Sequence, residues 1–185
     1  AGSWGTAIAD VLSKQHKGVD IWARNLKISH EINKKNTNKK YFKNIKLHRN
    51  LNAISGVLDV RKYSYIFYVL PAGQFEYFIK NNLNSQKINN LIICSKGLSA
   101  NGQLISSIAK ANLKVKKLFI LSGPSFAEEV IKGLPTALSV SSNGSPLPLG
   151  KLFKGTNIRI YYSKNYKTLE VLGVIKNIYA IGAGI

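Results

Sequence analysis

A chain of 185 residues with 45% hydrophobic composition can bury one full core, or one and part of another. No apolar run approaches the ~20 residues of a membrane span, and no basic stretch followed by an apolar core opens the chain, so neither stable membrane insertion nor export is expected. The formal charge of +19, from 27 basic and 8 acidic residues, sets up a field that attracts phosphorylated ligands or nucleic acid, but runs such as Asn33-Lys34-Lys35-Asn36 read as a solvated, lysine-biased surface rather than a groove.

The chain opens on Ala1-Gly2-Ser3-Trp4-Gly5 with no strand before it, and it holds no methionine, so its natural start is expected upstream. Ala7, Ile8, Val11 and Leu12 recur at helical spacing and predict a helix beginning at that glycine turn. A short apolar strand follows over 19–23. Residues 25–50 are polar and lysine-rich, with a short helix around Ile28 to Ile32 and then a loop carrying Tyr41 and Phe42.

Three apolar runs come next. Tyr65 to Leu70, closed by Pro71, predicts a strand covered on both faces; Leu91 to Cys94 leads into Ser95-Lys96-Gly97, and Leu118 to Leu121 into Ser122-Gly123-Pro124-Ser125. Between the last two, Leu104, Ile105, Ile108 and Ala109 repeat a helical face. Buried strands alternating with amphipathic helices imply an α/β fold, Rossmann-like and doubly wound around a mostly parallel sheet. Residues 136–141 and 157–162 are two further β-rich segments, separated by a turn and a short helical stretch ending near Phe153. A final helix is expected from about Thr168, its glycines and alanines predicting close packing. It stops inside an apolar segment with no helix stop, so more chain is expected to follow.

Cys94 is the single cysteine and sits in an apolar run, which predicts a buried thiol, no internal disulfide and a reducing, cytoplasmic setting. His16, His30 and His48 are scattered without a partner at metal-ligand spacing, so no metal site is predicted.

The glycine turn is the first candidate for chemistry. With one more glycine ahead of Ala1, Gly2 and Gly5 would complete G-x-G-x-x-G, the turn whose small residues let backbone amides approach a pyrophosphate at a helix N-terminus. About twenty residues on, where an NAD-selective site carries a carboxylate, the sequence reads Trp22-Ala23-Arg24-Asn25, and arginine there suits the 2′-phosphate of NADP. Lys96 follows a strand at the edge where open α/β sheets bind ligands. Lys176 interrupts an apolar helix in which an unpaired charge would be costly. A lysine near a ketone oxygen can stabilise the alkoxide that hydride addition creates, and a second cation such as Lys96 would bring its proton exchange toward neutral pH. Gly123-Pro124-Ser125-Phe126, with Glu128 and Glu129 in the next turn, reads as a helix start whose amides and serine help hold substrate.

Gly-Ser-Trp-Gly-Thr-Ala at 2–7, Ser-Lys-Gly at 95–97, Gly-Pro-Ser-Phe-Ala at 123–127, Leu-Pro-Thr-Ala at 134–137 and Lys-Asn-Ile-Tyr-Ala-Ile-Gly-Ala-Gly at 176–184 stand in the order seen in bacterial NAD(P)-dependent glycerol-3-phosphate dehydrogenases. The chain resembles the cofactor-binding part of that family over nearly its whole length, most weakly at 25–60 and 142–157. The resemblance implies a cofactor site of Gly2, Ser3, Trp4, Gly5, Arg24, Asn25, Tyr41, Lys96 and Ala127, for NAD or, favoured by Arg24, NADP. It implies substrate contacts from Lys96, Gly123, Ser125, Lys176 and Asn177, with Lys176 as proton donor or acceptor and Lys96 assisting. On this reading residues 1–167 are the NAD(P)-binding domain without its first strand, and 168–185 begin a missing helical domain. The implied activity is reversible reduction of dihydroxyacetone phosphate to sn-glycerol 3-phosphate for glycerophospholipid synthesis, by the full-length protein rather than this segment alone.

Departures from the family pattern are local. Pro71-Ala72-Gly73 stands where the family has Pro-Ser and then Gln or His, the approach to Lys176 lacks an aspartate, and Leu172 replaces a glycine. Two alternatives remain open: a related Rossmann hydroxy-acid dehydrogenase, and a basic module binding nucleic acid without cofactor. The leading reading expects a small phosphorylated substrate and no nucleic acid, and leaves a homodimer open for the full-length protein.

Overall fold

The computed structural model describes residues 1–83 and 86–184, without the side chain of Asn177. Its contacts divide it into two units. Unit 1 gathers Ala1–Leu58, Pro124–Ala137 and Lys151–Arg159; unit 2 gathers Asp59–Gly123, Leu138–Gly150 and Ile160–Ile185.

In unit 1, helix α1 (Ser3–Gln15) begins directly after Gly2, so the glycine turn is also the helix's first turn. Ala7, Ile8, Val11 and Leu12 are all buried, as their spacing predicts. The helix stops at His16, whose backbone is extended, and Gly18 follows with φ +73°, a conformation open chiefly to glycine. Strand β1 (Val19–Trp22) pairs in parallel with β2 (Leu51–Ile54), Val19 opposite Leu51.

Between them lies α2 (Leu26–Lys35), longer than the short helix expected around Ile28 to Ile32. Its ends explain its length. Asn25 caps the N-terminus by accepting from the amide of Lys27 at 2.9 Å, and Asn36 closes the C-terminus in the left-handed conformation, φ 50°. Strand β2 was not expected at all: its alternation of buried Leu51 and Ala53 with exposed Asn52 is only four residues long.

In unit 2 the core is a parallel trio. Strand β3 (Ile66–Tyr68), β4 (Lys87–Ile93) and β5 (Lys114–Ser122) run in register, Ile66 opposite Leu91 and Leu91 opposite Leu118. Leu91, Ile92 and Ile93 are wholly inaccessible, the signature of a strand covered on both faces. The run at 65–70 does not match that expectation. Only Ile66–Tyr68 is strand and only Tyr68 is buried, because β3 stands at the edge of its five-stranded sheet. Helices α3 (Phe75–Asn82), preceded by a 3-10 turn at Ala72–Gln74, and α4 (Ile105–Asn112) connect these strands.

Helix α5 (Ala127–Ile131) lies in unit 1 and packs against α1. Strand β6 (Thr136–Ser142) runs antiparallel to β5, Phe119 opposite Ser142, which makes the sheet mostly rather than wholly parallel. Then come α6 (Leu147–Leu152), β7 (Ile158–Tyr162) at the far edge, and α7 (Tyr166–Gly182), which starts two residues before the expected Thr168. Among the described residues no helix is long and apolar enough to cross a membrane.

Candidate functional site

The expected site residues divide between the units. In unit 1, Gly2 is the N-cap of α1 and offers no side chain to cap it, and the first turn contains no acid. Thr6 donates back to the carbonyl of Gly2 at 2.9 Å, so the amides of Ser3, Trp4 and Gly5 precede any intrahelical acceptor. Such an end favours an anion, through free donors and through the helix dipole together.

A cleft of about 480 Å³ opens beside this turn, lined by Ser3, Tyr41, Phe42, Phe126, Ala127, Glu128 and Glu129. It brings together three residues far apart in sequence: Ser3, Tyr41 and Ala127. Tyr41 arrives on the loop after α2, and Ala127 as the first residue of α5. Phe42, Phe126, Glu128 and Glu129 complete the lining. Phe126 was legible only as part of a helix start, yet it is 67% exposed, unusual for a phenylalanine at the base of a packed helix.

Arg24 lies just past the end of β1, exposed, and its guanidinium has no hydrogen bond or ion pair among the described residues. Asn25 beside it has its carbonyl oxygen engaged in the α2 cap, which leaves its amide nitrogen as the group able to meet a ligand. Ser125 caps no helix. Phe126 is the N-cap of α5, and the Ser125 hydroxyl is buried with no hydrogen-bond partner in the structure. A buried hydroxyl left unpaired is costly, which makes an ordinary capping role a poor account of this serine.

Unit 2 holds the lysines. Lys96 follows the end of β4, and its Nζ donates to the carbonyl of Gly123, just past the end of β5, at 2.9 Å. Because β4 and β5 are parallel, both positions open on the same edge of the sheet. Burial holds the ammonium of Lys96 below the usual lysine range, and the positive charge of Lys176 lowers it further.

The backbone of α7 comes close to Lys96 at Gly173. Gly173, one turn before Lys176, is buried, and a Cβ built on it would lie 3.0 Å from the Ser122 hydroxyl and 3.9 Å from Lys96 Cγ. This is the close packing expected of the helix's glycines, and it is confined to Gly173, since Gly182 has open space around it. The apolar helix that Lys176 interrupts is exposed around it in this chain. Ile178, Tyr179 and Ile181 are 65%, 74% and 69% exposed and Lys176 itself is half-buried, so what the structure adds for Lys176 is its place one turn after Gly173, the point where α7 meets Lys96. Asn177 falls on the same helix, with its side chain outside the described residues.

Cys94 is buried as expected, and burial pushes its thiol well above the ordinary value, with Lys96 acting weakly against that. Among the described residues no group of His, Cys, Asp and Glu could hold a metal ion.

Residues 1–147 match the family model for the NAD-dependent glycerol-3-phosphate dehydrogenase N-terminus. The chain belongs to that family. It is 37% identical over 190 residues to the glycerol-3-phosphate dehydrogenase (NAD(P)+) of Orientia tsutsugamushi, covering 100% of this chain and 58% of that protein. The corresponding protein of Methanothermobacter thermautotrophicus is 31% identical and 59% covered. The crystal structure of glycerol-3-phosphate dehydrogenase from Coxiella burnetii superposes with a TM-score of 0.85 at 29% identity, over 100% of this chain and 58% of that one. The fold is thus the α/β, Rossmann-like architecture of these dehydrogenases, and the chain spans a little over half the length of the relatives it matches.

Proposed function

We propose that the full-length protein reversibly reduces dihydroxyacetone phosphate to sn-glycerol 3-phosphate with NADPH or NADH, NADPH being preferred, and so supplies glycerophospholipid synthesis in the cytoplasm. The single observation carrying this reading is the close approach of α7 to Lys96 in unit 2, where Lys96 donates to Gly123 and Gly173, one turn before Lys176, packs beside it. Residues 1–167 serve as the cofactor domain, and 168–185 begin a helical catalytic domain. Its partner is a small phosphorylated substrate rather than nucleic acid, and a homodimer is compatible with it.

The residues of unit 1 fit a dinucleotide. The free amides of Ser3, Trp4 and Gly5 suit its pyrophosphate, Arg24 and Asn25 its ribose or 2′-phosphate, and the cleft faces of Tyr41 and Ala127 its remaining surface. When bound, the reduced nicotinamide supplies the hydride. The chain's own residues then manage charge and protons. Lys176 gives its proton to the ketone oxygen as negative charge develops there, and takes it back in the reverse direction. Lys96 holds substrate and adds a second cation beside the developing negative charge. The Gly123 segment and Ser125 orient the phosphorylated substrate, aided by Asn177.

The test is consumption of NADPH by the full-length protein, dependent on dihydroxyacetone phosphate, with isolation of the three-carbon product. Cofactor binding without any such turnover would reject the reaction while leaving the cofactor site intact.

A further inference from the structure

Asn38 is a polar side chain with no exposure at all, in the stretch of sequence least readable as structure. Its Nδ2 donates to the hydroxyl of Thr6 at 2.9 Å, and Thr6 is the residue that closes the first turn of α1. Its backbone carbonyl accepts from the amides of both Tyr41, at 3.0 Å, and Phe42, at 2.9 Å. One residue therefore joins the glycine turn to Tyr41 and Phe42, two of the aromatic residues that line the cleft.

Its neighbours are held the opposite way. Glu31 of α2 accepts from the Thr37 hydroxyl and from the amide of Lys39, each at 2.8 Å, and the carbonyl of Asn36 accepts from Leu47 at 2.7 Å. Thr37 and Lys39 are thus pinned to α2 while Asn38 points inward to α1. Tyr41 is thus tied by its backbone to Asn38, and Asn38 by its side chain to α1.

We infer that Asn38 is a positioning residue for cofactor binding: its amide, through Thr6, locks the loop that carries Tyr41 against the N-terminus of α1. An aspartate at this position would bring a buried charge in place of a neutral amide. This inference rests on the dinucleotide reading of the unit 1 cleft.

The experiment is direct titration of the full-length protein with NADPH. Asn38→Ala is expected to weaken binding about tenfold, the effect of losing one buried hydrogen bond that orders a contact. Tyr41→Ala is expected to weaken it comparably, and the double variant no more than the worse single one, because Asn38 acts through Tyr41. Thr6→Val removes the acceptor and should reproduce Asn38→Ala, whereas Thr6→Ser keeps the hydroxyl and should bind like wild type; these two serve if Asn38→Ala does not fold. A merely structural asparagine would lower the melting temperature and leave the couplings additive. Wild-type affinity in Thr6→Val, or multiplicative losses in the double variant, overturns the positioning role alone. Failure of the wild type to bind any nicotinamide dinucleotide overturns the cleft reading and this inference with it.

Discussion

The carboxylate of Glu170 accepts the amide of Ser106 at 3.0 Å, although 64 residues separate them, and both are buried. Ser106 lies in the first turn of α4, whose N-cap Leu104 has no side chain able to bond the orphan amides, so Glu170 of α7 caps another helix from a distance. Removing it leaves a buried donor unpaired. Glu170→Ala is expected to destabilise the protein by about 1–3 kcal/mol, and Glu170→Gln, which keeps an acceptor, by less. Denaturant unfolding decides it; a Glu170→Ala variant as stable as wild type would make this bond incidental.

Lys176→Ala should lower turnover of the full-length enzyme by a factor on the order of 10²–10⁴, the range for loss of positioned acid–base help. NADPH affinity should barely move, because the amides of α1 and Arg24 belong to a different unit. Steady-state kinetics beside cofactor titration separates the two effects. Near-normal turnover would return Lys176 to the ordinary surface.

Lys96 carries a pH signature. Its ammonium is held below the range it would have unfolded, first by burial and then by Lys176, so the folded state resists the charged form. Between the folded value and the unfolded value near ~10.4, the unfolded chain binds more protons, and stability rises with pH across that window. Lys96→Met should flatten that rise, and Lys176→Ala should reduce it in part, since burial remains. Urea unfolding at several alkaline pH values measures both. Lys96→Ala should also weaken binding of dihydroxyacetone phosphate as well as rate, unlike Lys176→Ala.

Arg24 is expected to favour NADPH over NADH in the full-length protein, and Arg24→Ala to remove most of that preference. Its guanidinium at the end of β1 is exposed and, among the described residues, makes no hydrogen bond or ion pair that a 2′-phosphate would have to displace. Paired titrations give the answer. Equal weakening of both cofactors would mean that Arg24 does not read the 2′ position.

What was legible in the sequence follows from where each residue's partners lie. Leu91 to Cys94 and Leu118 to Leu121 read correctly because burial on both faces demands a continuous apolar run, a local signal. Residues 25–50 did not, because their order comes from asparagines bonding far along the chain. Asn33 donates to the carbonyl and accepts from the amide of Ala53, and Asn38 reaches Thr6, contacts that leave no periodic trace. Tyr65 to Leu70 misled in the other direction, since an edge strand and a central one share the same composition. The lysine pair was visible as two motifs, but only Gly173 beneath the helix shows how α7 comes near enough to Lys96 for one cation to influence the other.

Each unit is assembled from three separate lengths of chain, unit 1 closing only with Lys151–Arg159 and unit 2 only with Ile160–Ile185. During synthesis, then, unit 1 lacks a part until Lys151–Arg159 has emerged, and β4 and β5 emerge well before α7 arrives to cap α4. For that interval β5 is without the helix that packs on it, so part of its apolar cover is the last piece of unit 2 to arrive.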